Sequence, residues 1–330
     1  MDPQNRRLPP FLEQQTVRAS VVDTVRDEET YRSAAVHFFD LDPDADVPVL
    51  EGRQRHDVAA DGLRGVEAGD RNRHPVADVE AGLLSFGDPQ LRLREQLLCR
   101  QLRLKPEDHL LEIGTGWGGF ALHAARHYGC RVTTTTISAE QHARACERVA
   151  AAGLADRVTI LQDDFRDLDG QYDKLVSIEM IEAVDHALLP AFFRKCGELL
   201  APHGAMLIQA ITMADQRYED YRKSVDFIRR YIFPGGNLPS AAVMTDCAVR
   251  ETGLRLLGLE DIGLHYATTL AHWRRNFFRQ LGAVREMGYP EAFIRMWDFY
   301  LCYCEGAFRE RAISDVLMLW TGPESRLRTL

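Results

Sequence analysis

Gly114, Gly116 and Gly118 fall at alternate positions in the run Glu112-Ile113-Gly114-Thr115-Gly116-Trp117-Gly118-Gly119. Glycines so spaced let a backbone come close to a ligand, because no Cβ stands in the way. The apolar pair Leu110 and Leu111 leads into the run, and an amphipathic stretch from Phe120 to His127 leaves it. A β-branched stretch, Arg131 to Ile137, follows. That order predicts strand, glycine turn, helix, strand: one βαβ unit. The chemistry of such a turn is nucleotide binding. A lone Gly-x-Gly gains meaning only from the strand before it and the helix after it, and both are expected here.

The spacing narrows the nucleotide. A dinucleotide site uses G-x-G-x-x-G with an acid near the end of the second strand. This chain has G-x-G-x-G-G, and its second strand runs into Thr135-Thr136 instead of Asp or Glu. The form E-x-G-x-G-x-G is the one used for S-adenosylmethionine. Gln141, one turn into the next helix, is placed to replace the ribose anchor with an amide hydrogen bond. The competing reading is an ordinary α/β turn that holds nothing.

The elements that must position this turn follow a regular order. Helical spacing of leucines covers Pro89 to Leu104, ahead of the first strand. After the second strand come a helix at Ala139 to Ala152 with Ser138 as N-cap, and a strand at Val158 to Gln162 that closes on Asp163-Asp164-Phe165. A strand at Tyr172 to Ile178, a helix at Leu188 to Leu200 and a strand at Ala205 to Ile211 continue the rhythm. Alternating strands and helices predict an α/β fold, a mostly parallel sheet with helices on both faces. Residues 213–239 break the rhythm with polar, aromatic and basic residues and end in YIFPGGNLPS. An insertion there sits above the carboxyl ends of the strands, where open sheets bind ligands, and is read as a lid. A helix at Ser240 to Thr252, a strand at Arg255 to Ile262, helices at Thr268 to Met287 and Glu291 to Arg309, and a strand near Ser314 to Trp320 complete the chain.

Composition excludes several classes. The 330 residues can bury a full core. A net charge of −9 argues against bulk nucleic-acid binding. The seven cysteines show no paired metal spacing, so no metal site is expected and a reduced, cytoplasmic protein is the simple reading. No apolar run reaches the roughly 18 residues that span a bilayer. The N-terminal MDPQNRRLPPF lacks the apolar core of a secretory signal. Residues 41–82 contain no aromatic, Ile, Met, Lys, Ser, Thr or Cys. They read either as a frameshifted, non-native stretch of a GC-rich gene or as a charged disordered insert. The expected division is therefore an atypical segment 1–85 followed by a domain 86–330.

Six ordered stretches now stand together: LLEIGTGWGGFALHAARHYGCRVTTTTISAEQ, VTILQDDFRDL, YDKLVSIEMIEAV, YIFPGGNLPS, HYATTLAHW and FYLCYCEGAFRER. Together they resemble the cyclopropane-fatty-acyl-phospholipid synthases, with the mycolic acid cyclopropane synthases and fatty-acid methylating relatives, from Phe86 to Trp320. The resemblance implies a Rossmann-like class I methyltransferase with a seven-stranded sheet and a helical lid. It implies S-adenosylmethionine as donor and the cis double bond of a phospholipid acyl chain as acceptor, met at the inner membrane surface. A homodimer is left open. Methyl transfer to an alkene leaves a carbocation, so the site must exclude water and place a base beside the new methyl. The resemblance implies a bound bicarbonate as that base.

Carried residue by residue, the resemblance assigns Glu182 to holding the bicarbonate and Tyr266 to donating to it. Gln209 and Ile211 stand in place of the family's His-x-Ile, so a titratable group is lost there while a hydrogen-bond donor remains. For the donor, Gly114 and Gly116 would lie under the methionine, Gly118 closes the turn, and Trp117 is either a wall of the site or a packing residue. Thr136, Ile137 and Gln141 match the ribose and adenine contacts, and Asp163, Asp164 and Phe165 the segment beside the adenine. The family's Tyr-Ser-Cys-Ala-like motif is absent from its place at Ala81-Gly82-Leu83-Leu84, and a fragment resembling it starts at Tyr31. Two other readings compete: a small-molecule N- or O-methyltransferase of the same fold, and a degenerate homologue that binds without catalysing.

Overall fold

The computed structural model describes residues 89–286 and 288–328. The expectations for residues 1–85, including the odd segment 41–82 and the fragment at Tyr31, fall outside them. The described chain opens with α1 (Pro89–Leu102), followed by β1 (His109–Ile113), α2 (Gly119–Tyr128), β2 (Arg131–Thr135), α3 (Ala139–Ala151) and β3 (Val158–Leu161). Then come β4 (Tyr172–Ile178), α4 (Leu189–Leu199), β5 (Leu200–Met213), α5 (Asp215–Tyr221) and α6 (Ala241–Glu251). β6 (Arg255–Asp261), α7 (Gly263–Arg279), α8 (Leu281–Glu286), α9 (Glu291–Arg309) and β7 (Ile313–Thr321) close it.

The strands form one sheet in the order β3-β2-β1-β4-β5-β7-β6, as expected of seven strands. Only β7 is antiparallel to its neighbours, β5 and β6. Parallel neighbours bury both faces, so their strands read as continuous apolar runs. On one face Phe192, Phe193 and Cys196 of α4 and Met244 of α6 pack on Leu175, Met206 and Trp320. On the other, Leu98 and Leu102 of α1 and Phe120 of α2 pack on Leu110, Val132 and Leu207. Each such side chain withdrawn from water contributes about 1.5–3 kcal/mol. A third core lies beyond the strand ends, where Ile232 of the lid meets Trp273 and Phe277 of α7 and Trp297 and Leu301 of α9.

Three elements show where contacts move boundaries away from expectation. β5 is longer at both ends because its pairing with β7 continues to Met213↔Ile313 and its pairing with β4 reaches back to Tyr172↔Leu200. β2 stops at Thr135, since Thr136 and Ser138 turn the chain into α3. The helix expected at Thr268 to Met287 starts earlier, at Gly263, and breaks at Gln280 into α7 and α8. Gly263 is required there: a Cβ would lie 2.4 Å from Ser314 Oγ.

Candidate active site

The glycine turn leaves β1 with Gly114, Gly116 and Gly118 at φ +106°, +51° and +83°, a left-handed path that side chains resist. A Cβ on Gly114 would meet Met180 Cγ at 3.0 Å. Beneath the turn, Thr134 donates to the buried Glu112 carboxylate at 2.6 Å, and Thr134 and Thr115 share a hydroxyl bond of 2.8 Å. The Trp117 carbonyl accepts from Arg148 at 2.5 Å. Ser138 caps α3 by accepting from the Gln141 amide N–H, which fixes Gln141 at the turn.

The expected nucleotide residues fall into two groups. Ile137 projects beside the turn with 60% of its surface exposed, an apolar face that a purine would cover. The Asp163 carboxylate accepts no hydrogen bond among the described residues, whereas Asp164 is held by Arg166 through two bonds of 2.8 Å. Arg166 accordingly keeps the Asp164 carboxyl below its usual range. Phe165 packs edge-on against Phe192. Gln141 is buried, and its amide oxygen already accepts from Thr136 at 2.6 Å. Bare backbone, an exposed apolar side chain and an open carboxylate together fit an adenosine-bearing sulfonium.

Across the strand ends lies a cluster of buried carboxyls. Glu182 sits in a single helical turn after β4, Ile181–Ala183. One of its oxygens accepts the Ile211 backbone N–H, and the other is buried without a partner. Burial pushes the Glu182 carboxyl up to about 8. Glu179, at the end of β4, takes φ +48° and is buried. Gln209 of β5 donates to Glu179 Oε1 at 2.5 Å and to Asp315 Oδ2 of β7 at 2.7 Å. Tyr266 of α7 donates to Glu179 Oε2 at 3.0 Å, and Arg94 of α1 lies 3.8 Å from Glu179 Oε1. Burial and the Asp315 charge raise Glu179 well above the ordinary carboxyl range, and burial raises Asp315 in the same sense. Burial likewise raises Tyr266, which stays a neutral donor.

The structure thus brings Glu182, Gln209, Ile211 and Tyr266 together at one end of the sheet. The donors do not fit a bound bicarbonate. Tyr266 and Gln209 are already spent on Glu179, and the Ile211 N–H on Glu182, so an anion would have to displace a side-chain carboxylate from each.

Glu179, Asp315 and Arg94 escaped the sequence reading. Glu179 stood in plain view in SIEMIEAV, but a carboxylate at a strand end is usually solvated. Only the crowding of β5, β7, α1 and α7 around it makes it a buried group.

Glu179 and Glu182 line the inner end of a cavity of about 500 Å³. Its walls are mostly apolar: Ile211, Phe233, Leu270, Tyr300 and Phe308 among them. The expected lid forms one side, through α5, a π-helical turn at Ile228–Ile232 and the following Pro-Gly-Gly loop. The lid is tied to the site by the Asn237 N–H, which donates to the Glu182 carbonyl at 2.7 Å. Arg217, Asp220, Asp226 and Arg229 of the lid add charged side chains to the cavity wall.

A seven-stranded sheet of this order, with a glycine turn after β1 and a helical cover over the strand ends, is the class I S-adenosylmethionine-dependent methyltransferase fold. Mycolic acid cyclopropane synthase CmaA1 complexed with SAH and CTAB matches it with a TM-score of 0.64 and 27% identity, over 70% of this chain and 83% of that one. Residues 88–318 match mycolic acid cyclopropane synthetase, and the chain belongs to that family. Tuberculostearic acid methyltransferase UfaA1 of Mycobacterium tuberculosis is 45% identical over 201 residues, 61% of this chain and 47% of that protein. Cyclopropane-fatty-acyl-phospholipid synthase of Escherichia coli strain K12 is 37% identical over 235 residues, 71% of this chain and 58% of that protein. The chain spans about half the length of these curated relatives.

Proposed function

We propose that the protein methylates the cis double bond of unsaturated acyl chains in phospholipids, with S-adenosylmethionine as donor. The observation that carries this reading is a cavity of about 500 Å³ with a largely apolar wall, in which Glu179 and Glu182 lie beside Ile211 and Tyr266, and Arg217, Asp220, Asp226 and Arg229 are the other charged residues of the lining. A small amine or alcohol would be poorly matched to walls of Ile211, Leu270, Phe233 and Phe308, whereas an acyl chain buries its methylenes there. Phospholipid acyl chains as the acceptor are further supported by the relative from Escherichia coli, whose name states that chemistry.

S-adenosylmethionine supplies an electrophilic methyl group on a sulfonium. Gly114, Gly116, Ile137 and Asp163 would hold it against the open edge of the turn. Phe233, Tyr300 and Phe308 line the acyl chain's path, keep water from the cation and offer aromatic faces to it. The Glu182 carboxyl, fixed by the Ile211 N–H, is protonated in the empty site, loses its proton beside the donor's sulfonium charge, and then sets a negative charge near the developing cation. The lid, tied to the Glu182 carbonyl through Asn237, closes the site once both substrates are in place.

The test is calorimetry with S-adenosylmethionine, followed by lipid mass spectrometry after incubation with monounsaturated phospholipid vesicles. Binding and a gain of one CH₂ per acyl chain are expected. Binding with no lipid product would move the acceptor to a small molecule, and no binding would leave a degenerate homologue.

A further inference from the structure

We infer that Glu179, a side chain of the protein itself, is the base that takes the proton from the methylated acyl chain, in place of a bound bicarbonate. The inference rests on the lipid-methylating reading above and goes beyond it.

The geometry is that of an occupied anion site. Tyr266 and Gln209, the two side-chain donors a bicarbonate would need, each donate to a different oxygen of Glu179, at 3.0 and 2.5 Å. Arg94 adds a cation at 3.8 Å. The carboxylate therefore sits where two neutral donors and one positive charge converge, which is the environment any oxyanion there would require. Glu179 also lines the cavity beside Glu182, with its side chain buried directly behind the cavity wall, so a proton reaches the carboxylate once the Tyr266 or Gln209 contact shifts. Its backbone is held at φ +48°, a conformation that a non-glycine residue adopts only when the surroundings impose it. Backbone of that kind is concentrated at active sites.

The two glutamates divide the work. Glu182 has one oxygen pinned to a backbone amide of β5 and sits on the lid side. Glu179 is gripped from both ends by side chains of α7 and β5, and Asp315 lies behind the same Gln209 amide. In the reaction the new carbon–carbon bond forms as the methyl–sulfur bond breaks, and the positive charge moves to the neighbouring acyl carbon. One C–H electron pair then closes the ring or a double bond. The released proton ends on a Glu179 oxygen and returns to water after the product leaves. Burial raises the proton affinity of Glu179, and the nearby Arg94 offsets that in part. The sulfonium charge of the donor favours the ionised form in the loaded site.

The test compares wild type with Glu179→Gly and Glu179→Gln in buffer stripped of carbon dioxide, with and without added bicarbonate. Glycine accepts φ +48° without strain and glutamine keeps the size of the side chain, and thermal melting of each variant checks that it folds. Donor affinity, lipid methylation and NMR of 13C-labelled bicarbonate are read for each. Wild type is expected to turn over equally with and without bicarbonate and to bind none. Both variants are expected to bind S-adenosylmethionine normally and to lose about 100-fold or more in turnover. Glu179→Gly, with the pocket emptied, is expected to bind labelled bicarbonate and to regain turnover from it.

Wild-type turnover that needs bicarbonate would overturn the inference. So would bicarbonate bound to wild type, or either variant working within tenfold of wild type without bicarbonate. If wild type binds the donor but makes no lipid product, the lipid reading fails. The labelled-bicarbonate experiment then still decides whether Glu179 fills the anion site.

Discussion

Glu182 keeps one carboxylate oxygen on the Ile211 amide and leaves the other buried with no partner. A carboxylate so placed is destabilised when empty and rewarded when a cation forms beside it. Glu182→Gln should therefore lower the turnover number by about 100-fold with donor affinity unchanged. Turnover with saturating donor and lipid checks it, and a fall in donor affinity alone would assign Glu182 to binding. The same burial ties stability to pH. Glu182 titrates at 4.5 when unperturbed and at about 8 in the fold. Between those values the folded protein keeps a proton that the unfolded chain has released. Its contribution is fully present below about 4.5 and is lost as pH rises through about 8. Glu179 and Asp315, raised in the same direction, add the same sign. The melting temperature of the ligand-free protein should fall from pH 5 to pH 8, and the slope should be shallower in Glu182→Gln. Parallel curves would remove Glu182 as the source. At this scale the sequence named Glu182, Tyr266 and Gln209 because whole motifs carried them. It was silent on Glu179 and Asp315, because burial of a carboxylate is set by strands and helices distant in the chain.

The β2–α3 junction shows what an element contributes to the donor site. Ser138 caps α3, Thr136 bonds Gln141, and Ile137 is left pointing outward between them. Ser138→Ala removes the cap, which should destabilise the protein by about 1 kcal/mol. It should also weaken donor binding, because the cap sets the path of the Ile137 backbone. Thermal melting with and without S-adenosylmethionine separates the effects, and a variant destabilised but binding normally would detach the cap from the site. This junction was legible: a serine before an amphipathic run is a start signal that needs no tertiary contact. The ends of β5 were not. His203 and Gly204 look like a loop, and only pairing with β4 and β7 draws the flanking residues into the sheet. The early start of α7 is of the same kind, since the close approach of Gly263 to Ser314 joins residues from β7 and from the helix start. Local chemistry marked the turns and caps, and long-range pairing set the strand lengths.

At the scale of the whole molecule the proposed phospholipid acceptor raises the question of how a chain with net charge −9 would reach a lipid surface. No described helix is long and apolar enough to cross a membrane. The lid over residues 213–239 carries five Lys and Arg, which invites an electrostatic answer, but it also carries four carboxylates. Arg222 and Lys223 pair with Glu219 at 2.9 and 3.7 Å, and Arg229 donates to the Tyr221 and Ser224 carbonyls. Three of the five cations are thus engaged within the lid, and Arg230 lies over the Tyr231 ring, so the lid offers head groups little concentrated positive charge. Its outer surface also offers Val225, 67% exposed, and Phe299 of α9, 40% exposed and in ring contact with Phe227. Burying side chains of this kind is worth about 1.5–3 kcal/mol each, which exceeds an exposed ion pair. Binding to vesicles should therefore be driven by apolar contact. Co-sedimentation should change by less than about threefold between roughly 50 and 500 mM salt, a range over which exposed charges are strongly screened. Replacing Val225 and Phe299 together with aspartate should weaken it by about tenfold or more, with donor affinity intact. A steep loss of binding with salt, on anionic vesicles only, would instead assign the docking to the lid's cations. The acyl chain would then be drawn into the cavity past Arg217 and Arg229 by its head group, and the aspartate pair would act mainly through charge.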